Sequence, residues 1–152
     1  RNSGYIALHT AIASGASAFV IPEEPCTLEE LAENVKKALR RKKLFGLIIS
    51  AEGNHLGNGY VIQEGLKQYF PEQDIRVTVI GHLQRGGAPT AADRILAARL
   101  GYAAVEGLMQ GKRNVMAGIV HDKVVFTPFD ECINREKKPG AVRIELARIL
   151  GM

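Results

Sequence analysis

Cysteine is scarce: Cys26 and Cys132 are the only two in 152 residues. Two isolated thiols build neither a disulfide framework nor a zinc ribbon, so free thiols in a reducing compartment, the cytoplasm, are expected. Long apolar runs are missing as well. Leu44 to Ala51 and Ile95 to Val105 fall far short of the roughly 20 residues of a membrane-spanning helix, and Arg99 interrupts the second. The chain begins without a methionine and without the basic and apolar regions of a signal peptide, which reads as a cut rather than a start. Aromatics are limited to four tyrosines and five phenylalanines, with no basic-aromatic interleave, and no long tract carries charge of one sign. Nucleic acid and membrane surfaces are therefore not expected partners.

What is present is the composition of one ordinary globular domain. The apolar fraction is 46% against 24% charged, and 20 Lys plus Arg less 16 Asp plus Glu leaves a net charge of +4. Strand and helix signals alternate. Tyr5 to Ala13 has apolar residues at near-helical spacing, with Gly15 placed to end the helix. Ala18 to Ile21 reads as a buried strand stopped by Pro22. Thr27 and Glu30 form a capping box opening a helix from Leu28 to about Arg41, with Leu28, Leu31, Val35 and Leu39 on one face. Phe45 to Ser50 has the continuous apolar character of a strand covered on both faces. The glycine-rich stretch from Gly53 to Gly59 reads as a flexible loop, and Val61 to Tyr69 as a helix. Ile75 to Ile80 is β-branched and strand-like. A loop from Gly81 to Thr90 then feeds a helix from Ala91 to Met109, followed by a hairpin turning at His121-Asp122 and a closing helix from Val142 to Leu150. The alternation predicts an α/β fold, three-layer α/β/α with a mostly parallel sheet.

In such sheets the ligand crevice lies at the carboxyl ends of the strands, which singles out Glu52 and the loop from Gly81 to Ala88. Arg76, His82 and Arg85 surround that second strand end, and Gly86 and Gly87 allow close backbone approach. This inventory suits an anion: a guanidinium binds phosphate through two parallel bonds, and imidazole donates to phosphate or hydroxyl oxygens. Surface ion pairs beside a glycine turn use the same residues. Glu52 is an acceptor for sugar hydroxyls or a solvated loop carboxylate. The Gly53 to Gly59 stretch matches neither a P-loop nor the dinucleotide fingerprint. Arg40 to Lys43 reads as a solvated helix cap, with a regulatory phosphate site as the other reading. His9 and His121 lack metal-ligand spacing, no metal ligands are assigned, and Met109 and Met116 read as core filler.

The segment Arg76-Val-Thr-Val-Ile-Gly-His82-Leu-Gln-Arg85-Gly-Gly-Ala-Pro-Thr-Ala-Ala-Asp-Arg94 closely resembles the signature of the 6-phosphofructokinases. The similarity continues in order through Arg1-Asn2-Ser3-Gly4-Tyr5-Ile6-Ala7-Leu8, Pro22-Glu23, Ala51-Glu52-Gly53, Ile95-Leu96-Ala97 and Gly118-Ile119. The sequence departs from the family's usual pattern at Asn2-Ser3 and Tyr5, where His-Ala and Asp are commoner.

The resemblance implies an incomplete phosphofructokinase-like fold over residues 1–152, comprising the half that binds fructose 6-phosphate and effectors. In that half Arg76, His82 and Arg85 handle the sugar phosphate, Glu52 faces a sugar hydroxyl, and Arg1 sits at the reacting end with a catalytic role. Glu23, Arg40 and Lys42 match an effector pocket. Arg76 is implied to reach into a neighbouring subunit's site, which requires a homo-oligomer. The implied reaction is phosphoryl transfer from ATP or pyrophosphate, with Mg2+, to the 1-hydroxyl of fructose 6-phosphate, giving fructose 1,6-bisphosphate in glycolysis. The glycine-rich donor loop and the motif supplying the catalytic base have no match in the chain, so it is expected to be inactive alone. A non-catalytic regulatory or assembly module pairing with a donor-binding subunit is the alternative.

Overall fold

In the computed structural model, residues 3–41, 45–134 and 138–151 are described. Along the chain run α1 (Tyr5–Ser14), β1 (Ala18–Val20), α2 (Leu28–Arg40), β2 (Ile48–Ser50), α3 (Gly59–Lys67), a 3-10 helix (Gly81–Arg85), α4 (Ala91–Met109), β3 (Val115–Val120), β4 (Lys123–Pro128), α5 (Phe129–Asn134) and α6 (Ala141–Gly151). They divide between two compact units, Arg1–Val79 with Lys138–Met152, and Ile80–Lys137.

In the first unit β1 and β2 pair in parallel, Ala18 opposite Ile48 and Val20 opposite Ser50. Side chains alternate across a strand, and the two faces of β1 serve two different cores. Ala18 and Val20 pack with Leu31, Ala32 and Val35 of α2 and Ile62 and Leu66 of α3. Phe19 and Ile21 join Ala7 of α1, Ile49 and Ala51 on the other side. Helices on both faces of a parallel ladder give the expected three-layer α/β/α arrangement. Removing a fully buried side chain such as Leu31 is expected to cost about 2–5 kcal/mol.

The local signals explain the element ends. Thr27 Oγ1 accepts from Glu30 N–H at 3.2 Å while the Glu30 carboxylate accepts from Thr27 N–H at 2.9 Å, closing the expected capping box. Gly15, at φ +60°, ends α1 in the left-handed region that glycine enters without a steric penalty. Gly4 is needed for proximity instead: a Cβ there lies 2.4 Å from the Ile21 Cβ.

In the second unit β3 and β4 form an antiparallel hairpin with Val120 opposite Lys123. His121 and Asp122 turn it with φ of 48° and 62°, the both-positive pattern of a type I′ turn. Helix α4 lies on the hairpin through Ala103 and Gly107, the latter against the Phe126 ring.

Four expectations need correction. Ile75 to Ile80 is not a strand among the described residues: Ile75 and Val77 are half-buried and Arg76 and Thr78 exposed, so the chain is extended but without ladder bonds. The β2 strand is confined to Ile48–Ser50 and is only partly covered. Gly53 to Gly59 is an organised turn built on buried Asn54. Met109 and Met116, read as core, are 83% and 47% exposed, because the helix and strand that carry them meet nothing on those faces among the described residues.

Candidate functional site

Glu52 stands at the carboxyl end of β2, where Ala51 N–H donates to Val20 C=O at 2.9 Å and closes the ladder. Its side chain is exposed. Asn54 organises the turn beneath it: Nδ2 donates to Ala51 C=O at 2.6 Å, Gly57 C=O at 2.8 Å and Ser50 Oγ at 3.0 Å, and Oδ1 accepts from Leu56 N–H at 2.8 Å. A buried amide bonded through both its nitrogen and its oxygen holds backbone that glycine alone leaves loose. Composition could not reveal this. The signal was the short side chain of an Asx turn, Asn54 two residues before Leu56.

The turn runs into α3, capped by Asn58 Oδ1 accepting from Tyr60 and Val61 N–H. The extended segment bearing Arg76 lies against the start of the same helix. Gln63 Nε2 donates to Ile75 C=O at 2.5 Å, and Val77 rests on Gly59. Glu52 and Arg76 are thus on segments that flank the first turns of α3. The Arg76 guanidinium is 86% exposed and pairs with Asp74 at 2.7 Å. A pair this exposed is worth about 0–1 kcal/mol and yields readily to a better anion.

His82 and Arg85 belong to the second unit. The segment expected as loop is a 3-10 helix over Gly81–Arg85, and at three residues per turn it stacks positions three apart on one face. His82 and Arg85 are such a pair, both exposed and neither bonded to a partner among the described residues. Five residues later α4 begins with a capping box. Thr90 Oγ1 and N–H donate to the Asp93 carboxylate at 2.7 and 2.8 Å, which holds its pKa below the usual aspartate range. The positive end of α4 therefore already has an anion of its own.

Glu23 accepts from Gly4 N–H and Ser3 Oγ at the start of α1, and Arg40 is exposed at the end of α2. Arg1 and Lys42 lie outside the described residues. Burial, then Glu30 and Glu24, push the Cys26 thiol up, which disfavours the thiolate that nucleophilic chemistry requires. Among the described residues no three His, Cys, Asp or Glu side chains are grouped to hold a metal ion. Among the described residues no helix is long and apolar enough to cross a membrane.

The family model for phosphofructokinase matches residues 1–108. The chain is 44% identical over 150 residues to ATP-dependent 6-phosphofructokinase 2 of Bacteroides thetaiotaomicron, covering 99% of the chain and 45% of that protein. It is 40% identical over 152 residues to ATP-dependent 6-phosphofructokinase 1 of Thermus thermophilus, covering 100% and 47%. The chain thus spans about half the length of the curated relatives it matches. Among solved structures, Pichia pastoris phosphofructokinase in the T-state superposes with a TM-score of 0.79 at 25% identity, covering 99% of this chain and 17% of that one. The pyrophosphate-dependent phosphofructokinase of Marinobacter aquaeolei superposes at 0.76 with 27% identity, covering 92% and 40%. A family model matched across most of the sequence, with relatives this similar over the remainder, places the chain in the phosphofructokinase family.

Proposed function

We propose that residues 1–152 are the substrate-binding and effector-binding half of a 6-phosphofructokinase. The complete protein transfers a phosphoryl group from ATP or pyrophosphate to the 1-hydroxyl of fructose 6-phosphate in the cytoplasm, giving fructose 1,6-bisphosphate for glycolysis. Arg76, His82 and Arg85 bind the sugar phosphate, Glu52 accepts a hydrogen bond from a sugar hydroxyl, and Arg1 serves the reacting end. Arg76 contributes to a site shared between subunits of a homo-oligomer. Glu23, Arg40 and Lys42 belong to an effector pocket. Magnesium, the phosphoryl donor and the catalytic base are held by the other half of the enzyme.

The observation that carries this reading is the 3-10 helix that puts His82 and Arg85, without a bonding partner among the described residues, on one exposed face. Transfer of a phosphoryl group is mostly positioning and charge neutralisation. A chain that supplies these cations without the donor machinery binds the sugar phosphate and does not turn it over. Calorimetric titration with fructose 6-phosphate tests this. A charge-assisted contact is worth roughly 1.5–3 kcal/mol, so the His82→Ala, Arg85→Ala double variant is expected to bind at least tenfold more weakly. Unchanged affinity removes the site assignment.

A second reading, an assembly module that pairs with a donor-binding subunit, is favoured by the apolar surface of α4. Val105, Leu108 and Met109 are 58%, 69% and 83% exposed, in a chain spanning under half of its relatives. Adding a donor-binding half and assaying restored turnover separates the readings: the first predicts a gain in activity, the second complex formation without one.

A further inference from the structure

The turn after β2 is fastened at a second point, outside its own backbone. His55 Nε2 lies 3.1 Å from the Cys26 amide nitrogen and 2.5 Å from the Cys26 carbonyl oxygen, across 29 residues of chain. An unprotonated Nε2 accepts from the amide, and an Nε2–H donates to the carbonyl. Either form of the ring finds a backbone partner on the same residue. Cys26 lies in the connection that leaves β1 and enters α2, so the bond ties the chain following β1 to the chain following β2. Glu52 is three residues before His55.

Asn54 fixes the turn's shape from within, through its four bonds to Ser50, Ala51, Leu56 and Gly57. What His55 adds is the turn's location relative to the connection after β1. We propose that His55 is a positioning residue: by binding the Cys26 backbone it holds the Glu52 turn where the Glu52 carboxylate meets a sugar hydroxyl. This rests on the reading of Glu52 as the hydroxyl acceptor. Losing the tie shifts that acceptor and leaves the phosphate-binding cations of the 3-10 helix alone.

The test uses the 152-residue chain as wild type, His55→Ala, His55→Gln and Glu52→Gln. Two readouts are taken: amide hydrogen exchange at Cys26 and across residues 51–59, and calorimetric affinity for fructose 6-phosphate and for inorganic phosphate. In His55→Ala, exchange at Cys26 is expected to rise and fructose 6-phosphate to bind about threefold to tenfold more weakly, with inorganic phosphate unaffected. A general loss of structure weakens both ligands, so the split identifies positioning. The glutamine variant, whose amide both accepts and donates, is expected to restore exchange and affinity. Unchanged exchange in His55→Ala overturns the tie. Raised exchange with full sugar-phosphate affinity, while Glu52→Gln weakens it, overturns the positioning role and leaves Glu52 in place. A Glu52→Gln variant that binds as tightly as wild type sinks the underlying reading of Glu52 instead.

Discussion

The carboxylate of Glu23 straddles the backbone N–H of Gly4, with Oε1 at 2.9 Å and Oε2 at 3.0 Å. Gly4 is the N-cap of α1 and has no side chain with which to cap it. A carboxylate from 19 residues away accepts from the N-cap N–H instead, as the acidic partner of a capping box does, and also complements the positive end of the helix dipole. Glu23→Ala is therefore expected to lower stability by about 1 kcal/mol in urea unfolding, as loss of an N-cap does. Glu23→Gln, which keeps an acceptor oxygen, is expected to lose less. Equal midpoints for the alanine variant and wild type refute the capping role. The effector role proposed for Glu23 is best tested with the glutamine variant, where the fold is least disturbed.

One arginine ties the turn of the second unit's hairpin to α4. Arg99 Nη1 donates to the Asp122 carboxylate at 2.6 Å and Nη2 to the Asp122 carbonyl at 2.7 Å, joining α4 to the turn. Arg99→Ala loses both bonds and is expected to cost about 1 kcal/mol. Asp122→Gly keeps the carbonyl contact and places glycine at a φ of 62°, as type I′ turns prefer, so it is expected to stay within about 0.5 kcal/mol of wild type. The contrast between the two variants, read by thermal unfolding, is the check; similar losses from both contradict it.

These pairings mark where the sequence stops being legible. The α2 helix was readable because capping box and apolar face agreed: Thr27 and Glu30 bond reciprocally, and Leu28, Leu31, Val35 and Leu39 all reach one core. The turn at His121-Asp122 was equally plain between two apolar runs. The segment from Ile75 to Ile80 misled because β-branching reports a preference for extended chain, while a ladder needs a neighbouring strand, and none pairs with it among the described residues. Of the candidate site, the residue types were visible in the signature around Arg76, His82 and Arg85. The 3-10 geometry was not, nor the bonds of Asn54 and His55, since these depend on groups brought together from distant or turned backbone.

Helix α4 carries the next prediction. Apolar side chains point from most of its circumference: Ile95, Leu96, Tyr102, Val105, Leu108 and Met109 are all exposed, and only Ala103 and Gly107 are buried. A helix apolar all round belongs in an interior. Patches of this kind on a soluble surface bind apolar dyes and associate. The chain is expected to raise the fluorescence of anilinonaphthalene sulfonate and to sediment with concentration-dependent mass. Val105→Glu with Leu108→Lys is expected to lower both without shifting the unfolding midpoint. Absence of dye binding by the native chain contradicts the exposure of this surface in solution.

The Asp93 cap of α4 makes a signed prediction with pH. Hydrogen bonds from the Thr90 hydroxyl and then from its backbone N–H favour the charged carboxylate, so Asp93 titrates below the usual aspartate range in the folded chain. A carboxylate lowered on folding stabilises the native state fully above its unfolded pKa, and the contribution fades as pH falls through the window down to the folded value. Below that value the protonated side chain no longer offers the charge that complements the helix end. Carboxyl carbon shifts followed by NMR are expected to place the Asp93 midpoint beneath that of an unstructured aspartate peptide. Over the same window, exchange at the first amides of α4 is expected to accelerate as pH falls, relative to the intrinsic rate. Asp93→Asn should abolish that dependence while leaving the Thr90 side of the cap intact. A midpoint at or above the peptide's, or an unchanged acid response in the asparagine variant, shows that the carboxylate is not what holds the start of α4.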